Sequence, residues 1–214
     1  MRPGIVRRQR ELRGVGLNKS LCLGVVALCL ASGPRFASAE WQPVEKEALY
    51  TITGQTGAEL YASIGERGPK AGISRAIAHT NFKLTWTRKY EEQGGACVLA
   101  VAKPKLIITY TLPKPARPLP SGTRENWDIF IDGVRKHELV HGDFIKEMVR
   151  AIEQATLGLT VPDDPKCRKI RTVMTERLGA LSQTQRQRSR DFDQVELTDG
   201  GNIHQLILKL VNGP

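Results

Sequence analysis

The chain has 214 residues, a formal net charge of +10, 6% aromatic residues and four cysteines. The charge is concentrated at the start: residues 1–39 hold seven Lys or Arg against one Glu, and the rest holds 25 bases against 21 acids. So mild an excess, with no basic stripe interleaved with aromatics, excludes a nucleic-acid partner.

Residues 1–39 read as a signal peptide. Arg2, Arg7, Arg8, Arg10, Arg13 and Lys19 make a basic start, Leu21 to Ala31 an apolar core, and Ala37-Ser38-Ala39 a small-x-small cleavage site before Glu40. The apolar run is shorter than the roughly 20 residues of a bilayer span, so no stable membrane anchor is expected after cleavage. The expected location is the periplasm or the medium. Cys22 and Cys29 leave with the leader, and Cys97 and Cys167 stay as an even pair in an oxidising compartment. A disulfide between them would close a loop of about 70 residues and add roughly 4 kcal/mol. The competing reading, two metal-ligating thiolates, lacks a C-x-x-C partner for either cysteine.

Residues 40–214 have the length of one domain. Tyr50 to Gly54 is a short β-like run, and Ala58 to Ile64 has helical spacing before Gly65, Gly68 and Pro69. From Thr80 the period is two: Thr80, Phe82, Leu84 and Trp86 alternate with Asn81, Lys83, Thr85 and Thr87, as in a half-buried strand. Glu91 to Gly95 reads as a turn, and Cys97–Ala102 and Leu106–Leu112 as two further strands. Pro113, Pro115, Pro118 and Pro120 then suggest an extended linker.

A long helix follows, capped by Ser121 or Thr123, beginning near Glu125 and ending near Leu157. Its apolar stripe, Trp127, Phe130, Ile131, Val134, Phe144, Ile145, Met148, Val149 and Ile152, reads as core. Within it stands His137-Glu138-Leu139-Val140-His141. Residues four apart share a helix face, so the two imidazoles can grip one cation, while Glu138 is turned about 100° and can reach a water on it. This is the H-E-x-x-H pattern of zinc peptidases, in which His137 and His141 are expected to bind Zn2+ and Glu138 to act as general base and then acid. A second helix is expected from about Cys167 towards Phe192, returning antiparallel to the first. Its charged tract, Gln183 to Arg190, reads as a solvated face or a substrate-facing one. Asp199-Gly200-Gly201-Asn202 is a turn, and Ile203 to Val211 an apolar closing segment.

Gly68-Pro69, the Thr80-x-Phe82-x-Leu84-x-Trp86 strand, Cys97-Val98, Thr111-Leu112-Pro113, Trp127 ahead of the histidine motif, and Cys167 opening the next helix together give the chain a likeness. It resembles a bacterial family of predicted secreted zinc-dependent proteases filed as a domain of unknown function. The resemblance implies a third metal ligand just beyond the second helix, where such proteins carry an aromatic-Asp pair and then Thr-x-His-Gly. Here the pair is Phe192-Asp193, and Asp199-Gly200 stands nearest the histidine position. Carboxylate is an acceptable zinc ligand, so Asp199 or Asp193 is expected to replace the histidine. At 1.5 Å per residue the second helix draws level with the histidines around Gln183 to Gln187, and the loop from Asp193 can fold back. Glu147 points away on an unbroken helix, Glu176 falls about two turns short, and His79 and His204 are lone histidines.

The expectation is therefore an α+β fold, a small antiparallel sheet packed on two long antiparallel helices, one of them a zincin-like active-site helix. The expected function is an exported zinc-dependent metalloprotease acting on protein or peptide substrates. The alternative is a non-catalytic envelope module that binds metal or protein on the same fold.

Overall fold

The computed structural model describes residues 41–213, so the signal peptide expected over 1–39 lies outside the described residues. In chain order the elements are β1 (Val44–Ile52), α1 (Gly57–Arg67), the short pair β2 (Lys70–Ala71) and β3 (Ser74–Arg75), β4 (His79–Gln93) and β5 (Ala96–Pro115). There follow α2 (Ser121–Thr156), β6 (Thr160–Val161), α3 (Lys169–Leu197) and α4 (Asn202–Asn212). The class is α+β, as expected.

The period-two stretch at Thr80 lies in β4, which forms a hairpin with β5 through Gly94 and Gly95. Both glycines have positive φ, +59° and +82°. That backbone matches the twist of the two strands and costs other residues more. The two strands expected on either side of Lys103 are one, β5, and it is the central strand of the order β1-β5-β4. β1 runs parallel to β5, so the sheet is mixed rather than wholly antiparallel. Alternation in a sequence reports which face is buried and says nothing of a neighbour's direction.

Of the four prolines expected in the linker, Pro113 and Pro115 lie inside β5, which also contains Pro104. Pro104 pairs only towards β4, before β1 begins at Ile107. Pro113 and Pro115 pair only with β1, because β4 has ended opposite Thr111. Each proline therefore sits where one side of the strand is open and its missing N–H breaks no ladder.

One face of the sheet, with Leu106, Ile108 and Tyr110 of β5, packs on Ile145, Val149 and Ile152 of α2. α2 starts at Ser121, directly after Pro120 and earlier than the expected Glu125, and no side chain caps it. α3 returns antiparallel: Ala155 meets Arg177, Glu147 meets Arg188, and His141 meets Ser189. The start of α3 is held twice. Cys97 and Cys167 form the expected disulfide, with Cα atoms 5.2 Å apart. Asp164 then accepts from the Arg168 N–H at 2.7 Å and from the Ile170 N–H at 2.9 Å, supplying the cap that Arg168 cannot. The closing segment is a helix, α4, and seals a second core of Leu60, Phe130, Val134, Ile203 and Leu210 against α1 and α2.

Gly142 follows His141 inside α2, where alanine would be favoured by about 1 kcal/mol on helix propensity. A Cβ there would stand 2.2 Å from the Tyr110 hydroxyl oxygen. Tyr110 is only 4% exposed and its hydroxyl donates to Glu45, so it cannot easily yield. The clash should win: Gly142→Ala is expected to destabilise by about 1–3 kcal/mol in denaturant melts. In a Tyr110→Phe background the same change should cost less. Equal costs in the two backgrounds would mean that the hydroxyl is not what excludes the side chain.

Candidate metal centre

The long apolar stripe of α2 carries its histidine motif towards α3 and the start of β4, and this burial fixes each side chain. His137 is 8% exposed and Glu138 5%. α3 supplies what faces them. Asp193 Oδ1 lies 3.1 Å from His137 Nε2 and 2.9 Å from His141 Nε2, and the two Nε2 atoms are 3.1 Å apart. Two imidazole nitrogens and one carboxylate oxygen thus form a nearly equilateral triangle.

The triangle tests whether a cation fits. Each Nε2 carries at most one hydrogen, so the contacts along all three edges cannot all be hydrogen bonds at once. A central cation would take all three lone pairs. Tetrahedral ligation with bonds of about 2.0–2.1 Å separates ligand atoms by about 3.3–3.4 Å, so a small outward relaxation would accommodate one. His₂-carboxylate with a fourth position left open is a donor set used by catalytic zinc. Among the described residues this is the one group of three or more His, Cys, Asp or Glu found within metal-ligating reach.

The other ring nitrogens are placed by α3 as well. His141 Nδ1 is 3.2 Å from Ser189 Oγ, which itself accepts from Gln185 Nε2 at 3.0 Å. His137 Nδ1 is buried without a hydrogen bond, and its nearest charged atom is Glu196 Oε2 at 3.8 Å. Phe192 stacks on His137 at 4.7 Å between ring centres and meets His141 edge-on. Burial works to raise the Asp193 pKa, but hydrogen bonds and charge from the two histidines override it and hold the carboxyl well below the usual range. Burial likewise works against a charged His141, and Asp193 outweighs it, so that pKa is raised.

Glu138 lies beside the triangle but outside it. Thr80 of β4 donates its hydroxyl to Glu138 Oε2 at 2.5 Å and also lies 3.1 Å from the Glu138 carbonyl oxygen. One carboxylate oxygen is thereby engaged and Oε1 is left for another partner. The group opens on a cavity of about 630 Å³ between α2, α3 and residues 75–82, with Val134, Ile145, Leu197 and Ile203 among its apolar walls.

Residues 48–201 match a family described as a bacterial protein of unknown function, DUF922. The chain belongs to this family. No curated protein and no solved structure matches the chain. The DUF922 segment contains every residue of the triangle together with Thr80 and Glu138, and leaves only α4 of the cavity wall outside.

Within that segment the structure brings His137, His141 and Asp193 together and sets Asp199 apart. α3 runs on to Leu197, about a turn further than expected, so Asp193 reaches the histidines from the helix itself and not from a loop. Asp199 falls beyond the helix end with its side chain fully exposed, 3.9 Å from His204. Glu147 pairs with Arg188 and, as expected, points away. The level of the histidines is reached at Ser189 to Asp193, rather than at Gln183 to Gln187. Thr80, Gln185, Ser189 and Glu196 were not legible as site residues, although signals exist. Thr80 is a polar residue on the apolar face of a strand, and Gln185, Ser189, Asp193 and Glu196 recur at helical spacing.

Titration with Zn2+ in a competition assay separates the two carboxylates. Asp193→Ala should weaken binding by at least about tenfold, and Asp199→Ala should leave it unchanged. The opposite ranking would place the third ligand in the loop.

Proposed function

We propose that the protein is an exported zinc-dependent peptidase that hydrolyses peptide bonds in protein or peptide substrates. The observation that carries the reading is the pairing of two features: a pre-formed His137, His141 and Asp193 triangle, and a separate buried carboxylate, Glu138, held beside it at the wall of an open cavity. Structural metal sites close their fourth position with protein, whereas hydrolytic sites keep it free and place a base next to it. Export is supported by the leader pattern before Glu40 and by the Cys97–Cys167 disulfide, which persists in oxidising compartments.

In this reading His137, His141 and Asp193 hold Zn2+. When bound, zinc supplies Lewis acidity, polarising a carbonyl and lowering the pKa of water to about 7. Glu138 accepts the proton of the attacking water at Oε1 and returns it to the leaving amine. Thr80 keeps the Glu138 carboxylate in one rotamer, so that its free oxygen faces the cavity. The N-terminal part of β4 borders the cavity, and β4 is the terminal strand of the sheet. Its open edge can hydrogen-bond an extended peptide.

The test uses one peptide panel and three variants. Glu138→Gln should retain zinc stoichiometry and lose about 10²–10⁴ of the wild-type rate. Thr80→Val should lower kcat by about tenfold and Thr80→Ser should restore it, because only the hydroxyl matters. If the wild type binds zinc and cleaves nothing across the panel, the site is a metal-binding module without catalysis.

A further inference from the structure

The face of the sheet opposite the candidate site is set apart by its charge. Alternation along β4 sends Thr80, Phe82, Leu84 and Trp86 towards the helices, and Lys83, Thr85, Thr87 and Lys89 to the other side, where all four are exposed. On β5 the neighbours on that open side include Lys103 and Lys105, also exposed. The register places Lys105 opposite Thr85 and Lys103 opposite Thr87. Lys83, Lys105, Lys103 and Lys89 therefore run in a zigzag across two strands, each about 7 Å from the next. Lys46 of β1, opposite Thr109, extends the row.

The acids are sorted away from this face. Glu45 and Glu47 flank Lys46 on β1, and alternation turns both towards α2, where they meet Lys146 and Arg135. Glu91 is the one acid at an open-face position, and it pairs with Lys89 at 2.8 Å. Lys83, Lys103 and Lys105 have no ion pair among the described residues. After residue 39 the chain has 25 bases and 21 acids. Five of those bases and one of those acids lie here, so this face carries the whole excess and the remainder balances. Like charges set opposite or diagonal on a sheet are unfavourable, and the spacing is within the screening length of about 8–10 Å at physiological salt, so the potentials add.

We propose that this face docks on an anionic lipid bilayer. The partner is identified by shape and residue type. The face is one side of a sheet, presenting lysines and threonines with Val101 and Ile107 among them and no aromatic side chain at these positions. A single-stranded nucleic acid is gripped by a groove with stacking aromatics, whereas a layer of lysine point charges matches a plane of lipid phosphates. Docked in this way the protein holds the cavity bordered by Thr80 and Phe82 on the side away from the membrane. The proposal does not depend on zinc or on hydrolysis.

Co-sedimentation of the full chain with vesicles tests it. Binding to phosphatidylglycerol/phosphatidylcholine vesicles should exceed binding to phosphatidylcholine alone and should vanish as salt is raised to about 0.5 M. The neutral vesicles register any contribution from the apolar stretch Leu21 to Ala31. Each open-face lysine removed should cost about fivefold, so Lys83→Gln/Lys103→Gln/Lys105→Gln should lose roughly a hundredfold with an unchanged circular dichroism spectrum. Lys103→Gln/Lys105→Gln serves if the triple variant misfolds, with a loss of about 25-fold. Arg186→Gln/Arg190→Gln on α3 should bind as wild type. The proposal is overturned if the open-face variants bind as wild type, if neutral vesicles bind equally, or if dextran sulfate is bound while anionic vesicles are not.

Discussion

The register of α3 against α2 is the constraint on which the rest depends. His137 and His141 are placed by α2 alone, but they become a three-atom site only because Asp193 stands level with them. The register is set at the far end. The Cys97–Cys167 disulfide ties the start of α3 to β5, and the Asp164 carboxylate fixes the first turn through the Arg168 and Ile170 N–H groups. Those anchors lie about 36 Å of helix from Asp193, so one residue of slippage at the turn would carry Asp193 round by about 100° and out of the site. The Arg177 contact to the Ala155 carbonyl and the Glu147–Arg188 pair guard the distance between.

That dependence explains the mixture of polar and apolar residues along the α2–α3 interface. Towards the disulfide it is closed by Ile170 and Met174 on the β5 side and by Met148, Val149 and Ile152 of α2. Towards the other end the same two helices turn His137, His141, Ser189 and Asp193 to one another, with Phe192 the apolar side chain against the two imidazoles. Buried polar groups are tolerable only when partnered, and nearly all of these are. The exception is His137 Nδ1. The stability lacking at the site comes from the apolar layers on either side, including α4, whose Ile203 and Leu210 are almost wholly buried.

What could be read in advance divides along the same line. α2 was legible because its apolar positions recur at helical spacing for about seven turns and its two histidines fall on one face, a local property. The disulfide was legible because export leaves only two cysteines. Asp193 and Asp199 could not be ranked, because the choice turned on where α3 stops. Thr198, Asp199 and Gly200 read as a loop continuous with Asp193, whereas the helix keeps going until Leu197. The parallel pairing of β1 was hidden for a related reason. It is a long-range relation, and no feature of Val44 to Ile52 itself distinguishes one strand direction from the other.

A carboxylate in place of a third imidazole changes the electrostatics of the centre in a definite direction. Two neutral histidines and one carboxylate would cancel half the charge of a divalent ion, so an ion held there would be a milder Lewis acid than with three histidines, and a general base beside it would matter more. In the proposed reaction Glu138 would be that base, with one of its oxygens held by Thr80. Without a cation, Asp193 favours a proton on the imidazole beside it. Burial alone would lower the pKa of His141, but Asp193 raises it above the unfolded value. The ion pair therefore contributes stability below the unfolded pKa, and the contribution is lost as pH rises through the folded pKa. Metal binding has the opposite sense, because the imidazole must first give up its proton. A proton and a metal ion would compete for the same triangle of lone pairs, and Asp193 faces both histidines in either case.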